Sequence, residues 1–198
     1  GSSPIVTAAV LVRIGGTQDL DIPESVLDKA VHYLDSRILA TFKGEHPFFT
    51  PSIGQYLLVR SMYAGVPFDG DGTDTKTLKK FRKAVNDYLT PSGARGLNGM
   101  ILEKVRRMKV LRNLQATGQG RALASVWKVK VKRMPASEAA DLESLMQYAV
   151  RHKSGGMYYP NAVMPWRGLL ESELYAHSLL CDLLSSYDNQ RSRDIADG

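Results

Sequence analysis

Residues 154–187 read SGGMYYPNAVMPWRGLLESELYAHSLLCDLLSSY, and their pattern decides the expected fold class. Gly155 and Gly156 end the preceding segment, because glycine enters the left-handed helix-stop conformation without a Cβ clash. Pro160 and Pro165 keep the aromatic connection that follows from becoming helix. From Leu169 the spacing changes. Leu170, Leu174, Leu180, Leu183, Leu184 and Tyr187, widened by Ala176 and Leu179, cover much more than one stripe of a helix. A helix apolar over most of its girth is enclosed by protein. The expectation is an inner helix over 169–187, with outer helices packed around it.

Working outward, Ile5 to Ile14 is short and apolar almost all round, which predicts a second inner helix near 4–14, closed by Gly15-Gly16. Asp21 and Pro23 start a helix near 22–40, with proline where its missing N–H costs nothing. Leu27, Val31, Leu34 and Ile38 recur there at helical spacing, so it is one-faced and outer. Thr50-Pro51 repeats the start signal before a third inner helix near 51–64, where Arg60 is the only charge. Asp74 or Thr75 caps an outer helix near 75–89, with Leu78, Phe81, Val85 and Tyr88 on its apolar stripe and four lysines facing water. Pro91, Gly93 and Gly96 precede a helix of about 18 residues, Leu97 to Leu114. Arg106, Arg107, Lys109 and Arg112 fall on its other faces. The segment 121–132 favours helix at first, then alternates as a strand would from Trp127 to Lys132; helix is expected, because a lone strand has no partner. Pro135 and Ser137 open an outer helix near 137–152, lined by Leu142, Leu145, Met146 and Ala149.

One-faced and widely apolar helices therefore alternate, joined by Gly/Pro loops. That alternation predicts an all-α chain of helical hairpins in two layers, an α/α toroid fragment of inner and outer helices. No strict repeat is visible, which favours a toroid over a regular array. Gly1-Ser2-Ser3 reads as a cloning scar, 4–187 as the toroid domain and 188–198 as a polar tail. Leu34, Leu57, Phe81, Met146, Leu174 and Leu180 are the expected core.

With 198 residues, 43% hydrophobic and 23% charged, the chain has the composition of a soluble globular domain. No apolar run approaches the roughly 20 residues that span a bilayer, so no membrane insertion is expected. No signal-peptide pattern is present, and the single cysteine, Cys181, excludes an internal disulfide. The net charge of +6 is unevenly spread: 76–133 holds 16 basic residues against Asp87 and Glu103, leaving an acidic remainder.

GGMYYPNAVMPWRG followed by LLESELYAHSLLCDLL resembles the helical toroid of bacterial alpha-2-macroglobulin family proteins, particularly their Bacteroidetes-type branch. SIGQYLLVRSMYAGVPF is similar to a preceding inner helix of that toroid. The resemblance implies a non-catalytic module of a large periplasmic or cell-envelope protein that traps proteases. Neighbouring domains of the parent chain and target proteases are then its partners. It departs from the family at the thioester. That motif joins a cysteine to the glutamine of a nearby Glu-Gln pair, whereas Cys181 is followed by Asp182-Leu183 and no Glu-Gln occurs. No thioester residue is therefore assigned.

Other motifs were weighed on their chemistry. Glu173, His177 and Cys181 share a helix face, but the outer two are about 12 Å apart at about 1.5 Å per residue, too far for one ion. Asp69, Asp71, Thr73 and Asp74 imitate a calcium loop, yet Asp74 stands where glycine belongs and Lys80 where the bidentate glutamate belongs. A loop leading into a helix cap explains them as well. No metal or cofactor is expected. The basic belt suggests nucleic acid, with Trp127 available to stack on a base, but no binding motif accompanies it. A toroid glycosidase or lyase would need paired carboxylates in its bore. The expected inner-helix starts supply Thr50, Ser52, Gln55, Arg167 and Glu171, which contain no acid–base pair, so no catalytic residue is assigned.

Overall fold

The computed structural model describes residues 3–15, 20–45, 51–90, 101–129, 134–151, 153–154, 157–158 and 173–184. The described chain is mostly helical. In order come α1 (Pro4–Gly15), α2 (Glu24–Lys43), α3 (Ile53–Met62), α4 (Thr75–Leu89), α5 (Ile101–Ala116), α6 (Gly118–Val126), α7 (Met134–Tyr148), the strands β1 (Val150–Arg151) and β2 (Met157–Tyr158), and α8 (Glu173–Leu184). The all-α expectation holds, with one small antiparallel addition in which Val150 faces Tyr158 and Arg151 faces Met157.

Local chemistry sets the helix ends. Ser52 and Gln55 form a reciprocal capping box on α3: Gln55 N–H donates to Ser52 Oγ at 3.2 Å, and Ser52 N–H to Gln55 Oε1 at 3.0 Å. Asp74 caps α4, accepting from Thr77 N–H at 2.9 Å and from the Thr77 hydroxyl at 2.7 Å. Thr117 caps α6 through Gly120 N–H at 2.9 Å. α2 stops at Gly44, whose φ of 97° is left-handed.

Packing places α3 and α5 at the centre. α3 touches α1, α2, α4 and α5, while α5 touches α3, α4, α6, α7 and α8. The helices α1, α3, α5 and α8 thus follow one another in a row, and α2 packs on α4 beside it. Phe81 of α4 anchors an aromatic cluster, stacked on Phe68 and edge-on to Tyr56, Phe42 and Trp127, with centroids 5.5–6.3 Å apart. Trp127 is fully buried, which locks the end of α6 onto α4.

Leu34, Leu57, Phe81 and Leu180 are buried as expected, and Met146 packs partly buried against the core; the side chain of Leu174 lies outside the described residues. Three expectations are corrected. The helix most enclosed by protein is α5 and not the one at 169–187: from Ile101 to Met108 every residue of α5 is buried, charged ones included. α8 buries Leu179, Leu180, Leu183 and Leu184 but exposes Ser178 and Asp182, so its described part is one-faced. α1 is not enclosed either, since Val6 and Val10 are each 47% exposed. Finally, α7 ends at Tyr148, and Val150-Arg151 leave it as a strand that pairs with Met157-Tyr158. Helix formation at the start of 121–132 is confirmed: α6 runs to Val126, and 130–132 lie outside the described residues.

α6 folds back closely on α5. A Cβ at Gly120 would lie 2.5 Å from the Asn113 carbonyl and 2.9 Å from Leu114 Cα, both backbone atoms that cannot swing away. Gly120→Ala should destabilise the chain by about 1–3 kcal/mol in urea unfolding. Gly118→Ala, two residues earlier with nothing within 4 Å, should be neutral or slightly stabilising.

Candidate functional site

The charged groups of this chain divide into a buried set and an exposed set, and the two have different chemistry. The first buried centre is Asp35 of α2. Its carboxylate accepts from the Tyr56 hydroxyl at 2.7 Å and from Asp69 N–H at 3.2 Å, and it lies 3.2 Å from Arg60 Nε. Arg60 reaches on to the Val66 carbonyl at 3.0 Å and the Tyr63 carbonyl at 3.4 Å, so its charge also satisfies backbone oxygens just past α3. Burial raises the Asp35 pKa, outweighing the Arg60 charge that lowers it.

The second centre lies between the first turns of α3 and α5. Glu103 accepts from Arg106 Nη1 at 2.7 Å and from the Tyr88 hydroxyl at 3.0 Å. A Cβ at Gly54 would meet Glu103 Oε2 at 2.2 Å, so the carboxylate presses on the first turn of α3 where a side chain would exclude it. Helix N-termini favour a negative charge there. Burial raises the Tyr88 pKa well above its usual value, with Glu103 adding to the effect, so the phenol is a fixed donor. The third centre is a two-pronged Arg107–Asp141 pair between α5 and α7, and Arg107 also donates to the Tyr88 carbonyl at 3.3 Å. Beside it Lys104 donates to Ser144 Oγ at 2.8 Å, and burial lowers its pKa.

These centres change the reading of the basic belt. Of its sixteen basic residues, Lys104, Arg106 and Arg107 are buried; Lys104 and Arg107 tie α5 to α7, and Arg106 pairs with Glu103 within α5. Trp127, which the nucleic-acid alternative would use for stacking, is buried among Tyr56, Phe68 and Phe81 and presents no face to a base. Among the described residues, the exposed basic side chains of the belt include Lys76, Lys79, Lys80 and Lys83 on the outer side of α4, Arg121 on α6 and Lys128 past its end. Arg82 Nε donates to the Val126 carbonyl at 3.2 Å and Asn86 Nδ2 to the Lys128 carbonyl at 3.3 Å, which fastens the end of α6 to this side of α4.

Two further surfaces remain. α1 lines apolar clefts on both flanks: about 450 Å³ towards Ile22, Val26 and Leu27 of the α2 entry, and about 340 Å³ towards Leu58 and Arg106. A more polar cleft of about 400 Å³ lies among Ser61, Lys109, Asn113, Thr117, Gln119 and Asp182, where Asn113 donates to Ser61 at 3.1 Å and Lys109 pairs with Asp182.

The remaining sequence candidates are placed as follows. Asp74 uses both carboxylate oxygens on the first turn of α4, Asp69 Oδ1 accepts from Asp71 N–H at 3.2 Å, and His32 approaches Asp69 at 3.8 Å. Ser52 and Gln55 serve the α3 cap. His177 and Cys181 are half-buried on α8; the side chain of Glu173, and Thr50, Arg167 and Glu171, lie outside the described residues. The sequence reading passed over Asp35, Asp141 and the buried side of α5. Asp35 was legible as an acid within the apolar spacing Val31, Leu34, Ile38, matched by the lone arginine of an otherwise uncharged helix. Comparison with protein-family models, with curated proteins and with solved structures gave no match.

Asp35→Asn should cost about 3–5 kcal/mol in chemical denaturation, because it strands a buried guanidinium. Asp35→Asn combined with Arg60→Met should recover a large part of that loss, measured as the coupling in a double-mutant cycle.

Proposed function

We propose that this chain is a non-catalytic helical module of a larger protein, of the α/α-toroid type in bacterial alpha-2-macroglobulin-like protease traps. The observation that carries the reading is the row α1, α3, α5, α8 with α2 and α4 packed on one side of it. In a toroid each inner helix is flanked by two others. α3 and α5 have such neighbours, and α1 packs on α3 and α2 while still leaving Val6 and Val10 exposed. A solvent-exposed apolar helix face beside two clefts is a surface suited to further protein. The buried ion pairs support a scaffold role as well, because each joins helices or satisfies a helix end.

On this reading the module belongs to a protein of the periplasm or cell envelope, and its partners are neighbouring domains and captured proteases. Covalent capture is not assigned to this chain, since Cys181 lacks the Glu-Gln partner sequence of a thioester. Burial raises the Cys181 pKa, so the thiol is protonated at neutral pH.

Two measurements test this. With the full product of the gene, preincubation with a protease should suppress cleavage of a large protein substrate while leaving hydrolysis of a small peptide intact. Undiminished cleavage of the large substrate, or a gene product with no further domains, would overturn the reading. For the chain itself, intact mass after methylamine treatment should be unchanged. Iodoacetamide should modify Cys181 slowly at neutral pH and faster as the pH rises past the ordinary thiol range; a methylamine adduct mapped to Cys181 would contradict the assignment.

A further inference from the structure

α6 ends on α4 in an unusual way. Trp127 is the C-cap, and Lys128 after it adopts φ 56°, the left-handed conformation that glycine occupies without strain. Among the described residues it is the only one other than glycine with a positive φ. The turn is closed by Lys128 N–H to the Ser125 carbonyl and Val129 N–H to the Ala124 carbonyl, both at 2.9 Å. Glycine would make the same two bonds at lower cost, so the lysine side chain is not needed for the turn. It is exposed, next to Asn86 on the flank of α4.

Around this point the surface combines two properties. Lys79, Arg82, Lys83 and Asn86 recur at spacings of three and four and so share one side of α4. Arg82 holds the carbonyl of Val126, whose own side chain is 44% exposed at the same corner. Asp87 is the one acid on this stretch of α4, paired with Lys83. The result is an exposed aliphatic residue beside four basic side chains, one of them balanced by Asp87.

We propose that this corner, Lys79, Arg82, Lys83 and Lys128 beside Val126, is a docking site for an acidic, partly apolar segment of a protein partner. The inference rests on reading the chain as a binding module and adds the chemistry of one of its partners. A polypeptide is favoured over nucleic acid by two observations. The aromatic ring next to this corner, Trp127, is buried and offers no stacking platform. Val126 is an apolar contact that a sugar-phosphate backbone cannot use, whereas a leucine or valine beside glutamates can.

The test is fluorescence anisotropy on the whole chain with three labelled probes: a short peptide of interspersed glutamate and leucine, poly-glutamate, and a short DNA duplex, each at low and physiological salt. The glutamate–leucine peptide should bind tightest and retain binding at physiological salt. Lys79→Glu with Lys128→Gly should weaken it by about tenfold. The thermal midpoint of Lys128→Gly alone should be unchanged or higher, which separates lost binding from lost folding. Val126→Ser should abolish the preference for the leucine-containing peptide over poly-glutamate. Tighter binding of the duplex would assign the corner to nucleic acid and overturn the proposal, as would no peptide binding or equal peptide affinity in the double variant. The protease-protection assay uses the full gene product, so failure of the module reading and failure of this corner are separate results.

Discussion

The fold depends on how α5 is dehydrated. From Ile101 to Met108 this helix is covered on every side, yet it carries Glu103, Lys104, Arg106 and Arg107. Isolated charges cannot be placed there, because each would lose several kcal/mol of hydration. Every one therefore meets a partner: Glu103 with Arg106 and Tyr88, Arg107 with Asp141, and Lys104 with Ser144. Those partners lie on α4, α7 and α5 itself, so satisfying one helix fixes the positions of its neighbours. Gly54 completes the arrangement by leaving room for the Glu103 carboxylate against α3. Apolar contacts supply most of the attraction, but they are tolerant of small slides. The ion pairs are directional and set where each helix stops.

The same constraint explains what could be read from the sequence. Helix starts were partly legible because they depend on local chemistry: Asp74 was read as a cap directly, whereas α3 was expected to start at Thr50-Pro51 and is instead capped by Ser52 with Gln55. One-faced helices were legible too, as in α2 and α4, where apolar spacing and burial coincide. α5 was not. Its arginines read as a water-facing side, because a charge has an ordinary preference for solvent and its partner Asp141 is 34 residues away. α1 and α8 read as enclosed because their sequences are apolar over a wide arc, but enclosure needs neighbours and sequence alone does not count them. The strand pair of Val150-Arg151 with Met157-Tyr158 was hidden because two residues are too few to show an alternating pattern.

The exposed basic surface was legible only as a sum. A run of sixteen basic residues predicts a positive surface somewhere between 76 and 133, and α4 does carry one. The sum could not distinguish Lys79, which faces water, from Arg107, which holds α7. The place of Trp127 was hidden for a related reason: a tryptophan amid lysines could stack on a base, but a helix end must seat itself on something. Here the seat is Phe81 and Tyr56. Charge and aromatic content announce a surface, and tertiary packing then decides which members are available to it.

The Arg107–Asp141 pair has a further consequence, for the order in which the chain can fold. Arg107 cannot be withdrawn from water before Asp141 arrives, and Asp141 lies on α7, beyond the whole of α6. During synthesis, a nascent chain that ends short of α7 lacks the acid and the helix that cover Arg107, so that side of α5 stays hydrated until α7 arrives. Burial of the central helix is thereby deferred until most of the sequence is available. Helix formation can begin locally and early, but consolidation of the core is a late, collective step that awaits an acid contributed from far along the chain.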